Sequence, residues 1–385
     1  MDVDSVQSRV LQNSDAVVSV AHRVRPLVRS NLHAISPYVP GRPIADVMQE
    51  YGLPDVVKLA SNENPWGPSP KALLAVQDAM HDMHRYPDGA AKDLRAAIAS
   101  HLNLDPGYVL VSNGSDEMIK MLSETFLDKG DEVIVPFPSF AQYTFGAMVM
   151  GAQIVQVLLR DDLQYDIEAL LQAVTPRTKL VYLCTPNNPT GTWLTHEQVR
   201  FFLDRIAQDV VVAIDEAYLE YVTSPDPVRS LEFIREGKPV LSLRTFSKIH
   251  GLAGLRLGYA IGDPHLLSFI NQVREPFNVN ALAQSAAIAA LQDDHHVAVV
   301  RENNEQGREQ YYAFFDEAGL AYCKTQGNFV LVNVGDGMAV FDAMQRRGVI
   351  VRAGFGGLKE YIRISIGTKE ENDRCLQVLA EVLVK

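Results

Sequence analysis

Short apolar runs rich in β-branched residues recur along the middle of this chain, and segments with helical periodicity separate them. The apolar runs are EVIVP at 132–136, KLVYLC at 179–184, VVVAI at 210–214, PVLSL at 239–243 and GYAIG at 258–262. The helix-like segments are 71–83, 90–103, 116–128 and 195–208. Runs that are apolar on both faces belong to strands buried on both sides. The pattern therefore predicts an α/β fold whose mostly parallel central sheet is covered by helices on both faces.

The C-terminal part of the chain has a different order of predicted helices and strands. A polar helix near 296–318 precedes two apolar runs, a helix at 337–347, two further strands and a last helix. Thr368 and Glu371 have the spacing of a capping box for that last helix. This order predicts a small α+β domain. A chain of 385 residues is also longer than one core usually supports, so we expect an N-terminal extension and arm (1–70), a large domain (71–295) and a small domain (296–385).

The N-terminal region lacks a clear pattern. Residues 1–35 have weak periodicity, and we expect them to be an extension that is loosely ordered or helical and docks elsewhere. SPYVPGRP at 36–43 should be extended, because its prolines oppose a helix. SNENPWGPSP at 61–70 has the composition of a loop, and loops position binding residues.

Composition narrows the function classes. The formal net charge of −12 opposes binding to nucleic acid or to an anionic membrane, although a local arginine cluster can still bind a small anion. The three cysteines form no CxxC pair, so neither a disulfide framework nor a thiolate metal site is expected. The N-terminus lacks the apolar core of a secretory signal, and no run approaches the length of a membrane span. We therefore expect a cytoplasmic protein.

The stretch RTFSKIHGLAGLRLGY at 244–259 points to covalent chemistry. Lys248 directly follows a predicted buried strand, whereas lysines usually lie on solvated surfaces. Thr245 and Ser247 can donate hydrogen bonds to a phosphate, and Arg256 supplies a cation for it. A nucleophilic amine must lose its proton, which a desolvated or cation-flanked position favours. The stretch predicts a reactive lysine beside a phosphate site.

Three other motifs follow predicted strands or precede a helix. Asp215 ends VVVAI, where an acid at the carboxyl end of a parallel strand faces the ligand crevice. Because a buried carboxylate needs a partner, a ligand cation is a good explanation for it. Gly114 and Ser115 precede a helix whose free N–H groups and positive dipole end suit an anion. PNNPTG at 186–191 is a turn one βα unit before Asp215.

With these motifs, the chain resembles a known family. S-K-x-x-x-L-A-G-L-R-x-G at 247–258 resembles the lysine motif of fold-type I aminotransferases dependent on pyridoxal 5′-phosphate (PLP), in their class II group. NENPWGPSP, RYPDG, PNNPTG and GVIVRAGFGGLKEYIRISIGT resemble the histidinol-phosphate aminotransferase family most. The resemblance runs from about residue 36 to the C-terminus. His250 departs from a stretch that is often more apolar in relatives, and we interpret it as a packing variant.

The resemblance implies a role for each matching residue. Lys248 would form the Schiff base and move the proton, and Asp215 would keep the pyridine nitrogen protonated. Tyr218 and Asn188 would bind the phenolic oxygen, and Tyr143 would stack on the ring. The phosphate would be held by Gly114, Ser115, Asp116, Thr245, Ser247 and Arg256, with Tyr86 contributed across a homodimer. Arg363, and with less support Arg352, Tyr38 and Asn64, would bind the substrate.

The implied reaction transfers the amino group of L-histidinol phosphate to 2-oxoglutarate, in histidine biosynthesis. An aromatic amino-acid aminotransferase and a PLP lyase similar to threonine-phosphate decarboxylase use the same cofactor residues, so both stay open. A PLP-binding protein without activity is opposed by the presence of lysine, acid, tyrosine and arginine. A nicotinamide-dependent oxidoreductase would need G-x-G-x-x-G after an early strand. The nearest run, at 354–359, comes late and lacks the last glycine.

Overall fold

The structure, a computed structural model, describes residues 27–37 and 41–383. Most of the predicted extension 1–35 and Tyr38 therefore lie outside the described residues. The part of the extension that is described includes a short 3-10 helix at Ser30–Ala34. There, Asn31 Nδ2 donates hydrogen bonds to the carbonyl oxygens of Met148 (2.8 Å) and Val149 (2.6 Å), so this part of the extension docks on the large domain.

Apolar runs build a seven-stranded sheet with the strand order β2-β8-β7-β6-β5-β3-β4. The strands of the chain are β1 (Val57–Lys58), β2 (Val109–Ser112), β3 (Glu132–Phe137), β4 (Gln153–Leu158), β5 (Thr178–Cys184), β6 (Val211–Asp215), β7 (Val240–Thr245), β8 (Gly258–Ile261), β9 (Tyr322–Cys323), β10 (Phe329–Asn333), β11 (Val349–Ile350) and β12 (Tyr361–Ser365). Within the seven-stranded sheet, β8 runs antiparallel to its neighbours β2 and β7, and the other pairs are parallel. The prediction of a mostly parallel sheet is confirmed, and each predicted run overlaps a strand to within two residues at its ends.

Helices cover both faces of this sheet. The helices are α1 (Ile44–Tyr51), α2 (Pro70–Ala79), α3 (Lys92–His101), α4 (Ser115–Phe126), α5 (Gln142–Met150), α6 (Ile167–Gln172), α7 (His196–Leu203), α8 (Ser230–Arg235), α9 (Pro264–Ile270), α10 (Ala281–Ala290), α11 (Asp294–Glu317), α12 (Gly337–Gln345) and α13 (Lys369–Leu383). Successive residues of β5 alternate between two cores: Val181 and Leu183 pack in one, and Leu180 and Tyr182 in the other. This alternation explains why the central strands are apolar on both faces.

The C-terminal elements form a second, smaller core. Strands β12, β10 and β9 make an antiparallel sheet, in which β10 contacts α11 and β12 contacts α12, and α13 packs on α11, α12 and β11. The predicted capping box of α13 is confirmed: Thr368 N–H donates to Glu371 Oε2 (2.8 Å), and Glu371 N–H donates to Thr368 Oγ1 (3.3 Å). Strand β1 pairs with β11, so a segment of the predicted N-terminal arm joins the C-terminal core. The division at 1–70, 71–295 and 296–385 stays a prediction.

Gly191, in the turn after β5, connects the large sheet to the C-terminal part. Its backbone has φ +77°, and a Cβ atom there would lie 2.1 Å from Thr325 Oγ1. Gly191 O also accepts a hydrogen bond from Gln326 N–H (3.0 Å). Both the left-handed backbone and the close approach therefore require glycine at this position.

We predict that Gly191→Ala lowers the free energy of unfolding by about 3 kcal/mol, since left-handed strain and overpacking add. The matched control is Gly237→Ala, whose site has φ +76° with no heavy atom within 4 Å of the added Cβ. The control should lose only about 1 kcal/mol from backbone strain. Urea unfolding of both variants measures the difference, and equal losses would contradict the close-approach argument.

Candidate active site

A cavity of about 550 Å³ lies at the carboxyl ends of the parallel strands β3, β5, β6 and β7. In open α/β sheets this edge is where ligands bind. Most of the residues singled out in the sequence contribute to its wall. They are Ser115, Asp116, Tyr143, Asn188, Asp215, Tyr218, Thr245, Ser247, Lys248, Arg256, Arg352 and Arg363.

Lys248 lies just beyond the end of β7, and its amine is in the cavity. Its Nζ donates a hydrogen bond to Ser61 O (3.3 Å) and lies 5.7 Å from the centre of the Tyr218 ring. Burial, together with the positive charges of Arg363 and Arg256, lowers the pKa of the Lys248 amine to about 8, against the opposing effect of nearby carboxylates. The amine is therefore available as a nucleophile close to neutral pH.

Asp215 is the last residue of β6, and its side chain is buried in the cavity wall. Asp215 Oδ2 accepts a hydrogen bond from the Tyr143 hydroxyl (2.6 Å), and Oδ1 accepts one from Ala217 N–H (3.1 Å). Burial raises the pKa of this carboxyl to about 6, although both hydrogen bonds lower it. A cationic group of a ligand would stabilise the charged carboxylate here.

The N-terminus of α4 and Arg256 face each other on one side of the cavity. Arg256 Nη2 lies 3.3 Å from Asp116 Oδ2, and a Cβ on Gly114 would lie 2.6 Å from the same Nη2 atom. Arg256 itself has φ +54°, a conformation that L-residues rarely adopt. Asp116 offsets part of the guanidinium charge, and the remaining positive charge adds to that of the helix N-terminus. This corner is thus suited to a phosphate group.

Thr245 and Ser247 belong to the same corner. Thr245 Oγ1 donates to Leu257 O (3.3 Å) and accepts a hydrogen bond from Ser247 N–H (3.0 Å). Ser115 Oγ donates to Arg244 O (3.4 Å), which ties the start of α4 to β7. These hydroxyl groups fix the loop between β7 and Lys248 against the helix.

Arg363, on β12, reaches the cavity from the C-terminal antiparallel sheet. It donates hydrogen bonds to Asn188 Oδ1 and to Ala60 O (2.6 Å), and its guanidinium lies 5.4 Å from the ring centres of both Phe329 and Phe355. The two rings restrict the guanidinium by cation–π contact. Such a fixed, buried arginine is suited to binding a carboxylate or a phosphate.

Arg352 lies directly opposite Arg363. The two residues exchange backbone hydrogen bonds in an antiparallel bridge: Arg352 N–H to Arg363 O is 3.0 Å, and Arg363 N–H to Arg352 O is 2.7 Å. Directly opposite residues of an antiparallel pair have their side chains on the same face. Since both arginines line the cavity, two positive charges converge on one part of its wall.

The aromatic wall differs from the prediction that Tyr143 stacks on a ligand ring. Tyr143 is fully buried, stacks on Tyr182 with 4.4 Å between ring centres, and donates its hydroxyl proton to Asp215. The half-buried Phe140 lines the same cavity and packs edge-on against Tyr143. Phe140 was missed because Tyr143 has the more distinctive side chain. Their spacing of three residues, just before and inside the first turn of α5, decides which ring lies deeper.

Two of the residues singled out in the sequence lie away from the cavity wall, and one residue that was not singled out lines it. Asn64 donates to Ile249 O (2.9 Å) and Gly67 O (3.2 Å), so its amide holds a loop and does not line the cavity. Asn62, two residues earlier, does line it. Tyr86 is 83% exposed and stacks on Phe277 outside the cavity.

His250 was interpreted as a packing residue, and its contacts agree with that interpretation. Its ring lies 5.0 Å from that of Phe246. Burial lowers the pKa of His250 to about 4, so the imidazole is neutral at pH 7. It adds no charge near Lys248.

Comparisons with known proteins agree with this geometry. Residues 54–379 match the family described as "Aminotransferase class I and II".

The chain belongs to the class I and II aminotransferase family.

Three relatives of this aminotransferase cover nearly its whole length. It is 45% identical over 361 residues to histidinol-phosphate aminotransferase of Moorella thermoacetica, covering 93% of each chain. It is 46% identical over 349 residues to the same enzyme of Akkermansia muciniphila, covering 90% of this chain and 96% of that one. The crystal structure of histidinol-phosphate aminotransferase from Sinorhizobium meliloti in complex with pyridoxal 5′-phosphate superposes with a TM-score of 0.86 and 29% identity, covering 93% and 97% of the two chains. The fold of this aminotransferase is therefore fold type I.

Within residues 27–37 and 41–383, no helix is long and apolar enough to cross a membrane. The same residues contain no group of three histidine, cysteine or acidic side chains that could hold a metal ion.

The lowered pKa of Lys248 predicts its reactivity. In protein freed of pyridoxal 5′-phosphate, the amine is mostly protonated below about pH 8, and the neutral nucleophile dominates above it. Labelling of this protein by an amine-reactive reagent should therefore reach half of its maximal rate near pH 8. Arg363→Gln should move this midpoint upward, because a positive charge that lowers the pKa is removed. Lys369, whose pKa is raised by Asp373, is the internal control. Mass spectrometry of labelled peptides gives both rates, and equal midpoints for the two lysines would contradict the prediction.

Proposed function

We propose that this aminotransferase transfers the amino group of L-histidinol phosphate to 2-oxoglutarate, giving imidazole-acetol phosphate and L-glutamate in histidine biosynthesis. The observation that carries this proposal is the pair Arg352 and Arg363, which converge on one cavity that also contains Lys248. A phosphate monoester carries up to two negative charges, and two guanidinium groups can both donate to it. The near-full-length similarity to histidinol-phosphate aminotransferases supports the same substrate.

The cofactor is pyridoxal 5′-phosphate, and the residues of the cavity fit it. Arg256 and the N-terminus of α4 form an anion-binding corner for the phosphate, and Asp215 offers a buried carboxylate for the ring nitrogen. Lys248 supplies a buried amine with a lowered pKa. When bound, the cofactor withdraws electrons from the bonds at the substrate Cα.

Each residue then has a defined task around that group. Asp215 would hold a proton on the ring nitrogen, which strengthens the electron withdrawal. Asn188 and Tyr218 would donate hydrogen bonds to the phenolic oxygen. Phe140 would pack against the ring, and Tyr143 would fix the carboxylate of Asp215 from behind through its 2.6 Å hydrogen bond.

Proton transfer is the task of Lys248. Its amine lies between Tyr218 and the backbone of Ser61, and its pKa of about 8 suits both taking up and releasing a proton near neutral pH. Arg363 would hold the anionic group of the substrate and so orient the substrate Cα toward Lys248.

The substrate assignment is tested by the half-reaction. The purified holoenzyme is titrated with L-histidinol phosphate, L-glutamate and L-phenylalanine, and the absorbance reports conversion of the cofactor to its pyridoxamine form. We expect fast conversion by histidinol phosphate at micromolar concentration, and loss of this preference in Arg352→Leu. If phenylalanine converts the cofactor and histidinol phosphate does not, the enzyme is instead an aromatic amino-acid aminotransferase. Release of carbon dioxide from L-glutamate or L-phenylalanine, the two donors that carry a carboxylate, would instead indicate a lyase.

We predict that Asp215→Asn binds the cofactor but turns over about 100- to 1,000-fold more slowly, because the amide cannot hold a positive charge on the ring nitrogen. The amide has nearly the same shape as the carboxyl, so folding is preserved. Cofactor content from absorbance and the turnover rate from single-turnover kinetics separate binding from chemistry. A near-normal rate would refute the role of Asp215.

We also propose that the active unit is a homodimer to which Tyr86 contributes across the interface. Tyr86 is 83% exposed, and other large apolar side chains of the same region are exposed as well: Leu73, Leu74, Met80, Met83 and Phe277. Apolar side chains grouped on a surface mark an interaction site. Tyr86 also does not line the cavity of its own chain.

Subunit mixing tests this arrangement. Lys248→Ala and Tyr86→Phe are each expected to have low activity, the latter measured at limiting cofactor. In a hybrid dimer, the site that keeps Lys248 would receive Tyr86 from the Lys248→Ala partner and would be complete. Random mixing should therefore restore about a quarter of the wild-type activity, since half of the dimers are hybrids with one complete site each. No recovery after verified exchange would show that Tyr86 does not act across subunits.

We further infer that the enzyme works in the cytoplasm. Cys184, Cys323 and Cys375 are free thiols, as expected in a reducing compartment. The separate apolar core built mainly from residues after 310 supports the small domain at 296–385, beside a large domain at 71–295 and an N-terminal arm at 1–70.

A further inference from the structure

Asn62 has the properties of a functional residue that no motif of the chain identifies. Its side chain is only 1% exposed, yet it lines the cavity between Ser61 and Tyr218. Its backbone has φ +53°, a left-handed conformation that asparagine tolerates better than most residues. Such strained positions are concentrated at functional sites.

A directed chain of hydrogen bonds passes through Asn62. Its backbone N–H donates to Ser365 Oγ (2.8 Å), and Ser365 Oγ lies 2.9 Å from Asn62 Oδ1, to which it donates. Because the serine oxygen already accepts a proton, its own proton is directed to Oδ1. The opposite orientation would set an amide N–H against that hydroxyl proton. The side-chain Nδ2 is thereby directed to the Tyr218 hydroxyl, at 3.1 Å.

The hydrogen bond from Asn62 also determines where the Tyr218 hydroxyl can direct its proton. Its oxygen accepts from Asn62 Nδ2, so its own proton is available only for a different acceptor. We propose that Asn62 is a positioning residue that keeps the Tyr218 hydroxyl as a hydrogen-bond donor into the cavity. This inference rests on the proposed function, in which Tyr218 faces the phenolic oxygen of the cofactor. Ser365 fixes the orientation of the Asn62 amide through its hydrogen bond to Oδ1.

The surroundings of Tyr218 agree with a donor role. Burial raises the pKa of the phenol above its usual value, so it remains protonated at neutral pH. The charged and titratable groups that influence it are Lys248, whose Nζ lies 5.7 Å from the ring centre, together with Arg363, Asp215 and Cys184. The edge of Phe329 closes another side. A phenol that accepts one hydrogen bond becomes a stronger donor of the next.

The test measures the pKa of the visible chromophore formed by the cofactor and Lys248, by pH titration of the holoenzyme without substrate. A hydrogen bond donated to the anionic form of a group lowers its pKa. Tyr218→Phe should therefore raise the chromophore pKa by about one unit, and Asn62→Gly by about half a unit. Glycine adopts a positive φ without strain, so Asn62→Gly removes the amide while keeping the backbone. Ser365→Ala should shift the pKa in the same direction by less.

The double variant distinguishes positioning from a structural role. If Asn62 acts through the tyrosine, Asn62→Gly adds no shift in the Tyr218→Phe background. The matched control is Asn304→Ala, which removes an equally buried amide outside the cavity wall whose Nδ2 donates to Gly327 O (3.2 Å), and it should leave the pKa unchanged.

Three results would overturn the inference. An unchanged chromophore pKa in Asn62→Gly, or an equal shift in both backgrounds, shows that the amide does not act through Tyr218, and the proposed function is untouched. An unchanged pKa in Tyr218→Phe removes the role of Tyr218 and this inference with it. Since no substrate is present, none of these results depends on which amino donor the enzyme uses.

Discussion

A buried ion pair between Glu216 and Arg244 fixes the part of the sheet on which the active site is built. Glu216 is fully buried, and its Oε2 lies 3.2 Å from Arg244 Nη2. Ser230 donates to Oε1 (2.8 Å) and Ser242 donates to Oε2, so both carboxylate oxygens have partners. Removing one member of such a pair leaves an uncompensated buried charge, which costs about 3–5 kcal/mol. Because Asp215 precedes Glu216 and the lysine loop follows Arg244, the pair sets the spacing between acid and amine.

The charges of the cavity oppose those of the whole chain. The protein has a formal net charge of −12, yet Arg256, Arg352 and Arg363 surround Lys248 in the cavity. Burial raises the pKa of Asp215 and lowers that of Lys248, so desolvation shifts both groups toward their neutral forms. A ligand that combines a cationic ring nitrogen with anionic groups reverses the shift at Asp215 and compensates the arginines. The same desolvation therefore makes the cavity selective for that charge pattern.

The sequence predicts the central strands of the seven-stranded sheet well and its edge strands poorly. Strands β5, β6 and β7 are buried on both faces and so leave an unambiguous apolar run, whereas β4 is an edge strand with a mixed pattern. The local sequence pattern is the same for a parallel and an antiparallel strand, so the antiparallel direction of β8 could not be predicted. Within SNEN, local pattern cannot separate Asn62 from Asn64. The difference depends on Ser365, which lies 303 positions away, and only the tertiary fold brings it there.

Three consecutive residues connect the C-terminal antiparallel sheet to Lys248 and Tyr218. Ala60 O accepts from Arg363, Ser61 O accepts from Lys248, and Asn62 contacts both Tyr218 and Ser365. Arg363 and Ser365 lie two residues apart on β12, so both face this segment. A displacement of β12 therefore shifts the groups that hold Lys248 and Tyr218. The proposed anion site at Arg363 and the position of the Lys248 amine therefore both depend on residues 60–62, which belong to no strand.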